Sequence, residues 1–149
     1  IEREADYFAS CLLMPESRFQ NEIFRKKFNY DLIQSLASQY NVSITACAFR
    51  FAQIGNHPIM IIYAENGIVK WKLESDDFPY KWLLNDKKVP ENTVMGEYFS
   101  KSNVRDIYKT EKVWAMDWFN YVKEYDTGRF FYEHCIPHKN KALSIIWED

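Results

Sequence analysis

The stretch Pro58-Ile59-Met60-Ile61-Ile62-Tyr63-Ala64-Glu65-Asn66-Gly67-Ile68-Val69-Lys70-Trp71-Lys72-Leu73 decides the fold class. Two runs rich in β-branched and aromatic residues flank Asn66-Gly67, a dipeptide that readily takes the positive φ angles of a tight hairpin turn. The pattern predicts strands over 59–64 and 68–73. Downstream, Pro79 and Pro90 mark 74–92 as irregular, and 93–100 reads as a short helix or strand. Segments 113–119, 129–136 and 142–147 are aromatic and β-branched, hence strand-like. Upstream of Pro58 the apolar spacing is helical instead. Ala5, Phe8, Ala9, Leu12 and Leu13 recur at helical intervals, and Pro15 disfavours a helix through Met14. A second helix is expected from Pro15 or Glu16 to about Phe24, with Pro in its first turn. A third begins at or is capped by Asp31 and runs to Tyr40. Ser43 is a good N-cap for a fourth, from Ile44 to about Gln53, with Gly55 as its stop. The predicted fold is therefore α+β: a helical part over 1–57, then an antiparallel β-rich part over 58–149.

Composition excludes several function classes. Hydrophobic residues make up 47% of the 149 and aromatics 17%, enough for a sizeable core. Net charge is −2, and neither part carries the basic excess of an autonomous nucleic-acid binder. No apolar run approaches the roughly 20 residues of a membrane helix. The three cysteines, Cys11, Cys47 and Cys135, are widely spaced and odd in number, which fits free thiols in a reducing cytoplasm. The charged start leads us to expect no signal peptide, and a first residue of Ile leads us to expect a fragment.

The chemistry concentrates in Ile1-Glu2-Arg3-Glu4-Ala5-Asp6-Tyr7-Phe8-Ala9-Ser10-Cys11-Leu12-Leu13-Met14-Pro15. Glu2 and Asp6 are four apart and share a helix face, while Glu4 points about 160° away at 100° per residue. Acids in a first helical turn are commonly there because the helix dipole favours them. A carboxylate so placed can also complete a zinc site whose histidines come from elsewhere, and a second acid can fix the tautomer of a ligating imidazole.

Glu2-x-x-Ala5-Asp6-x-Phe8-Ala9 followed by Leu12-Leu13-Met14-Pro15 resembles the signature of the ImmA/IrrE family of zinc metallopeptidases. Leu36-Ala37-x-x-Tyr40-x-Val42-Ser43-x-x-Ala46 and Arg50 resemble the family's helical segment beyond the site. The resemblance implies that Glu2 is the third zinc ligand, with Glu4 in reserve, and that Asp6 is the acid beside a ligand. It implies a cytoplasmic endopeptidase whose substrate is a helix-turn-helix repressor. The H-E-x-x-H helix that supplies two histidine ligands and the general base in that family is absent from these 149 residues. The histidines are His57, His134 and His138. A catalytic zinc needs three protein ligands and an open position. The chain as given is thus expected to be inactive and to hold no zinc alone, the parent protein holding it.

Three further features bear on function. Residues 32–54 have a helix-turn-helix cadence, but the second helix, Ile44-Thr45-Ala46-Cys47-Ala48-Phe49-Arg50-Phe51, offers only Arg50 as a base, which argues for a packed hairpin over a DNA reader. In Glu133-His134-Cys135-Ile136-Pro137-His138 the two histidines would share a strand face about 13 Å apart. Pro137 is expected to interrupt that run, leaving a strand end with surface histidines. Finally, the dense aromatics of 58–149 read mostly as core, with some free to line a groove. The β-rich segments also resemble the tail of ImmA/IrrE-like proteins that is regarded as sensor-like in some relatives. The alternative to a peptidase fragment is therefore a non-enzymatic regulatory module that binds a peptide or small molecule through this part.

Overall fold

The computed structural model describes residues 2–85, 87–101 and 110–149, with the side chain of Arg3 outside the description. Two compact units divide it, Ile1–His57 and Pro58–Asp149.

The first unit holds four helices, α1 (Glu2–Leu13), α2 (Glu16–Ile23), α3 (Tyr30–Tyr40) and α4 (Ile44–Ile54). Local chemistry sets each boundary. Pro15 separates α1 from α2 and stands as the N-cap residue of α2. Asn29, rather than Asp31, caps α3: its side chain accepts a bond from Leu32 N at 2.8 Å, leaving Asp31 inside the first turn. Asn41 ends α3 in the left-handed conformation (φ 53°), and Val42 N closes on Ala37 O at 2.9 Å. Ser43 caps α4 as expected, accepting from Ala46 N at 3.0 Å. Gly55 does stop α4, but by a different route. Its φ of −73° is open to any residue. What it provides is space, since a Cβ there would lie 2.3 Å from the Phe51 carbonyl oxygen. Phe19, Phe28, Phe51 and Tyr40 build the centre of this unit, with Phe28 4.8 Å and Phe19 6.2 Å from the Phe51 ring.

The second unit is a five-stranded, wholly antiparallel sheet in the order β2-β1-β5-β4-β3. The strands are β1 (Ile59–Glu65), β2 (Ile68–Glu74), β3 (Thr110–Trp114), β4 (Phe130–His138) and β5 (Lys141–Trp147). Asn66 and Gly67 make the β1–β2 turn with φ of 52° and 77°, the two positive angles their sequence promised. Segment 93–100 resolves to a helix, α5 (Val94–Ser100), because Thr93 Oγ1 accepts from Gly96 N at 2.9 Å. The strand expected over 113–119 stops at Trp114 and becomes a single helical turn, α6 (Ala115–Trp118). Asp117 causes the change: its carboxylate accepts the Trp114 N–H at 3.0 Å and bends the chain. Aromatic content alone had favoured a strand there. Pro137 does not interrupt β4 either. It stands opposite Ala142, beyond the last described β3–β4 pair (Thr110 with His134), where a missing N–H costs no described ladder bond.

One face of the sheet carries Met60, Ile62, Ala64, Phe131, Cys135, Ala142 and Ile146 into a core completed by Phe78, Trp118 and Phe119. Glu133 also lies on this face, fully buried. Its Oε2 accepts from Val94 N and Trp118 Nε1, both at 2.9 Å. Its Oε1 accepts from Met95 N at 3.0 Å and Ser144 Oγ at 2.5 Å. No helix of the described residues is long and apolar enough to cross a membrane.

Burial raises the Glu133 pKa above the ordinary carboxylate range, and the four donors pull it back only in part. The folded state therefore holds this proton more tightly than the unfolded chain, so its contribution to stability falls as pH rises from the unfolded value through the folded one. Glu133→Gln cannot satisfy four donors and is expected to destabilise the unit by about 1–3 kcal/mol. All five tryptophans lie in 58–149, so urea unfolding followed by tryptophan fluorescence reads this unit. The expected result is a lower midpoint for the variant. The wild type should also lose stability relative to the variant as pH is raised from about 4.

Candidate functional site

Helix α1 carries the acids singled out above. At 100° per residue, Glu2, Ala5, Asp6, Phe8, Ala9, Leu12 and Leu13 fall on one arc, and Cys11 and Ser10 lie outside it. Every residue on that arc is exposed. Phe8 and Leu12 are each 64% exposed and Leu13 56%. A helix in a globular domain normally turns such an arc toward a core. Here it points to solvent, with Glu2 set between Ala9 and Leu13 and Asp6 at its edge. Glu4 is exposed as well, on the opposite side of the helix. Among the described residues Glu2, Glu4 and Asp6 form no ion pair.

The helix is held by its C-terminal end. Met14 is fully buried, and its carbonyl accepts a 3.0 Å bond from Arg50 Nε on α4. Arg50 is 3% exposed. The one basic residue of the helix-turn-helix cadence is thus turned inward, onto the end of α1. A buried guanidinium needs such acceptors, because leaving them out costs the desolvation of a charge.

Each histidine has its own surroundings. His57 stacks on Phe28, ring centroids 5.6 Å apart and nearly parallel. His134 is buried, not at the surface as expected, and shares a 2.9 Å hydrogen bond between Nδ1 and Thr110 Oγ1 across β3 and β4. His138 ends β4 and is exposed. Cys135, next to His134, is fully buried on the opposite strand face with its pKa pushed up to about 12 by desolvation, which makes it a poor nucleophile. Among the described residues no three His, Cys, Asp or Glu side chains converge on a point where a metal ion would sit. The carboxylates of α1 do not by themselves make a metal site. We derive no catalytic step through a metal from this chain.

A family model described as the IrrE N-terminal-like domain of Peptidase_M78 matches residues 1–52, which is the helical unit up to the last turn of α4. That match supports ImmA/IrrE-like and metallopeptidase kinship for this unit. No curated protein matches the chain.

The Arg50 to Met14 bond was not foreseen, although the helix pattern already placed Arg50 among apolar neighbours. Arg50→Ala removes a charged donor and leaves a buried carbonyl, so a loss of about 1–3 kcal/mol is expected. Urea unfolding followed by helical circular dichroism checks this; an unchanged midpoint would show that the bond contributes nothing to the hold on α1.

Proposed function

We propose that residues 1–52 supply the third-ligand helix of a cytoplasmic zinc-dependent endopeptidase resembling ImmA/IrrE proteins, whose substrate is a helix-turn-helix repressor. Glu2 is the zinc ligand in this reading. Asp6, one turn further along the same face, accepts from a ligating imidazole and fixes its tautomer. The H-E-x-x-H helix belongs to the parent protein, and this chain alone is inactive.

The observation that carries the proposal is the α1 arc. Glu2 sits within, and Asp6 at the edge of, an exposed apolar face formed by Ala5, Phe8, Ala9, Leu12 and Leu13. A dipole-stabilised acid pair alone would be expected amid polar residues. An apolar face around paired acids suits a second helix that brings cationic or metal-bound groups against them. The family match over 1–52 supports the same reading.

The test begins with the gene sequence encoding the residues before Ile1. An in-frame H-E-x-x-H there, with one zinc per chain in the longer product, is the expected result. In that product Glu2→Gln should lose zinc outright at micromolar metal. Asp6→Asn should weaken binding by about 10–100-fold, and Glu4→Gln should leave it unchanged. Zinc retention by Glu2→Gln together with loss in Glu4→Gln would move the ligand to Glu4. The absence of the motif from the gene would overturn the peptidase.

A further inference from the structure

The β-rich unit carries a groove of about 450 Å³, within the range of small-molecule sites. Two segments build it, and short backbone bonds hold them side by side: Leu84 N donates to Trp118 O at 2.7 Å and Asn120 N to Trp82 O at 2.8 Å. The floor is rigid. The Tyr80 ring stacks on Phe119 at 5.0 Å, and the Arg129 guanidinium lies 5.5 Å from its centroid. Glu148 clamps Arg129 through two bonds of 2.7 Å, and the Tyr80 hydroxyl donates to Asp126 at 2.9 Å. The single Arg129 charge thus meets two carboxylates, Glu148 and Asp126.

The rim is different. Trp82 is 66% exposed, Tyr121 76% and Tyr125 77%. Three large rings so far out of the core, around one groove, are not explained by packing. Tyr121 is also held at a φ of +57°, a left-handed conformation that is uncommon and costly for a bulky residue. Between these rings stand Lys81 and Lys123, neither in an ion pair among the described residues. The Lys123 ammonium lies 5.5 Å from the Tyr125 ring centroid.

We propose that this groove binds a planar aromatic anion of the nucleotide class, its base stacked on Trp82 or Tyr121 and its phosphate set against Lys81 and Lys123. The chemistry selects among occupants. Quaternary ammonium ligands favour aromatic cages, but two lysines in the lining repel them. A purely apolar ligand would leave both ammonium groups beside it without counter-charge. Proline-rich peptides use aromatic grooves and have no need of the cations. Flat rings beside Lys81 and Lys123, whose ammonium groups form no described ion pair, match a base with a phosphate, because every base offers a π-face for stacking. Adenosine monophosphate free in solution and a nucleotide within a single strand present the same groups, so the experiment separates the two sources. The chain's net charge of −2 favours the free form.

The experiment is calorimetric titration of the 149-residue chain with adenosine monophosphate, adenosine and a ten-nucleotide oligo(dA) at low salt. Adenosine monophosphate should bind in the micromolar to low millimolar range and adenosine about tenfold or more weaker, the phosphate supplying the difference. Trp82→Ala should weaken nucleotide binding by about tenfold, as expected when one stacking ring is removed. Lys123→Glu should weaken adenosine monophosphate and leave adenosine unchanged. Both side chains are exposed, so these variants keep the fold, and the fluorescence unfolding midpoint verifies it. Oligo(dA) binding no tighter than the mononucleotide assigns a free nucleotide, and binding more than about tenfold tighter assigns a strand. Equal affinity for adenosine and its monophosphate, no effect of either variant, or no heat with any of the three ligands would overturn the proposal. None of these readouts depends on zinc or on peptidase activity.

Discussion

Much of the β-rich unit is organised around a single buried carboxylate. Glu133 leaves β4 on the core side of the sheet, where an unpaired polar group would cost several kcal/mol, and meets four donors there. Two donors are the first backbone N–H groups of α5, one is the indole of Trp118 on α6, and one is the Ser144 hydroxyl on β5. Each is a group that would otherwise be buried without a partner. One side chain thus settles where two helices and two strands meet. Such a network is stable when every member is satisfied and a liability when one is removed. Gly96 belongs to the same construction, since a Cβ there would lie 1.9 Å from the Pro90 carbonyl oxygen and force α5 off its seat.

The legible parts of this structure are those that local chemistry decides. Asn66-Gly67 fixes a turn because of the φ angles it tolerates, Ser43 caps a helix because its hydroxyl reaches an amide three residues on, and Pro15 divides two helices for steric reasons. Where the sequence misled, a longer-range or competing contact had won. The Asp117 carboxylate bends the chain at Trp114 within a run whose aromatics favour a strand. Asn29 outcompetes Asp31 as a cap because its extended backbone (φ −159°) aims its oxygen at Leu32 N. Glu133 itself was hidden by company: beside His134 and Cys135 it reads as surface chemistry. Its parity with Phe131 and Cys135 on a strand was the signal that places it in the core.

On the helical unit, the acids were legible and their surroundings were not. Spacing alone puts Glu2 and Asp6 on one face. It does not tell whether Ala5, Phe8, Ala9, Leu12 and Leu13 around them are covered, since the same period describes a core-facing and an exposed stripe. The structure shows α1 fastened through Met14 and Arg50 while its apolar arc is exposed. The helix is therefore positioned from its C-terminal end, and its acidic N-terminal turns project from a fixed base.

The burial of the cysteines gives the chain an uneven thiol chemistry. Cys47 on α4 and Cys135 on β4 are both fully buried with pKa values raised to about 12, and neither presents a thiolate at neutral pH. Cys11 on α1 is half-buried. A thiol-alkylating reagent applied to the native protein meets a single accessible thiol, so a spin label or fluorophore can be set on α1 without mutagenesis. That label would sit roughly half a turn round the helix from Glu2 and Asp6 and about 60° from Phe8 at the edge of the arc, near enough to report a helix arriving there.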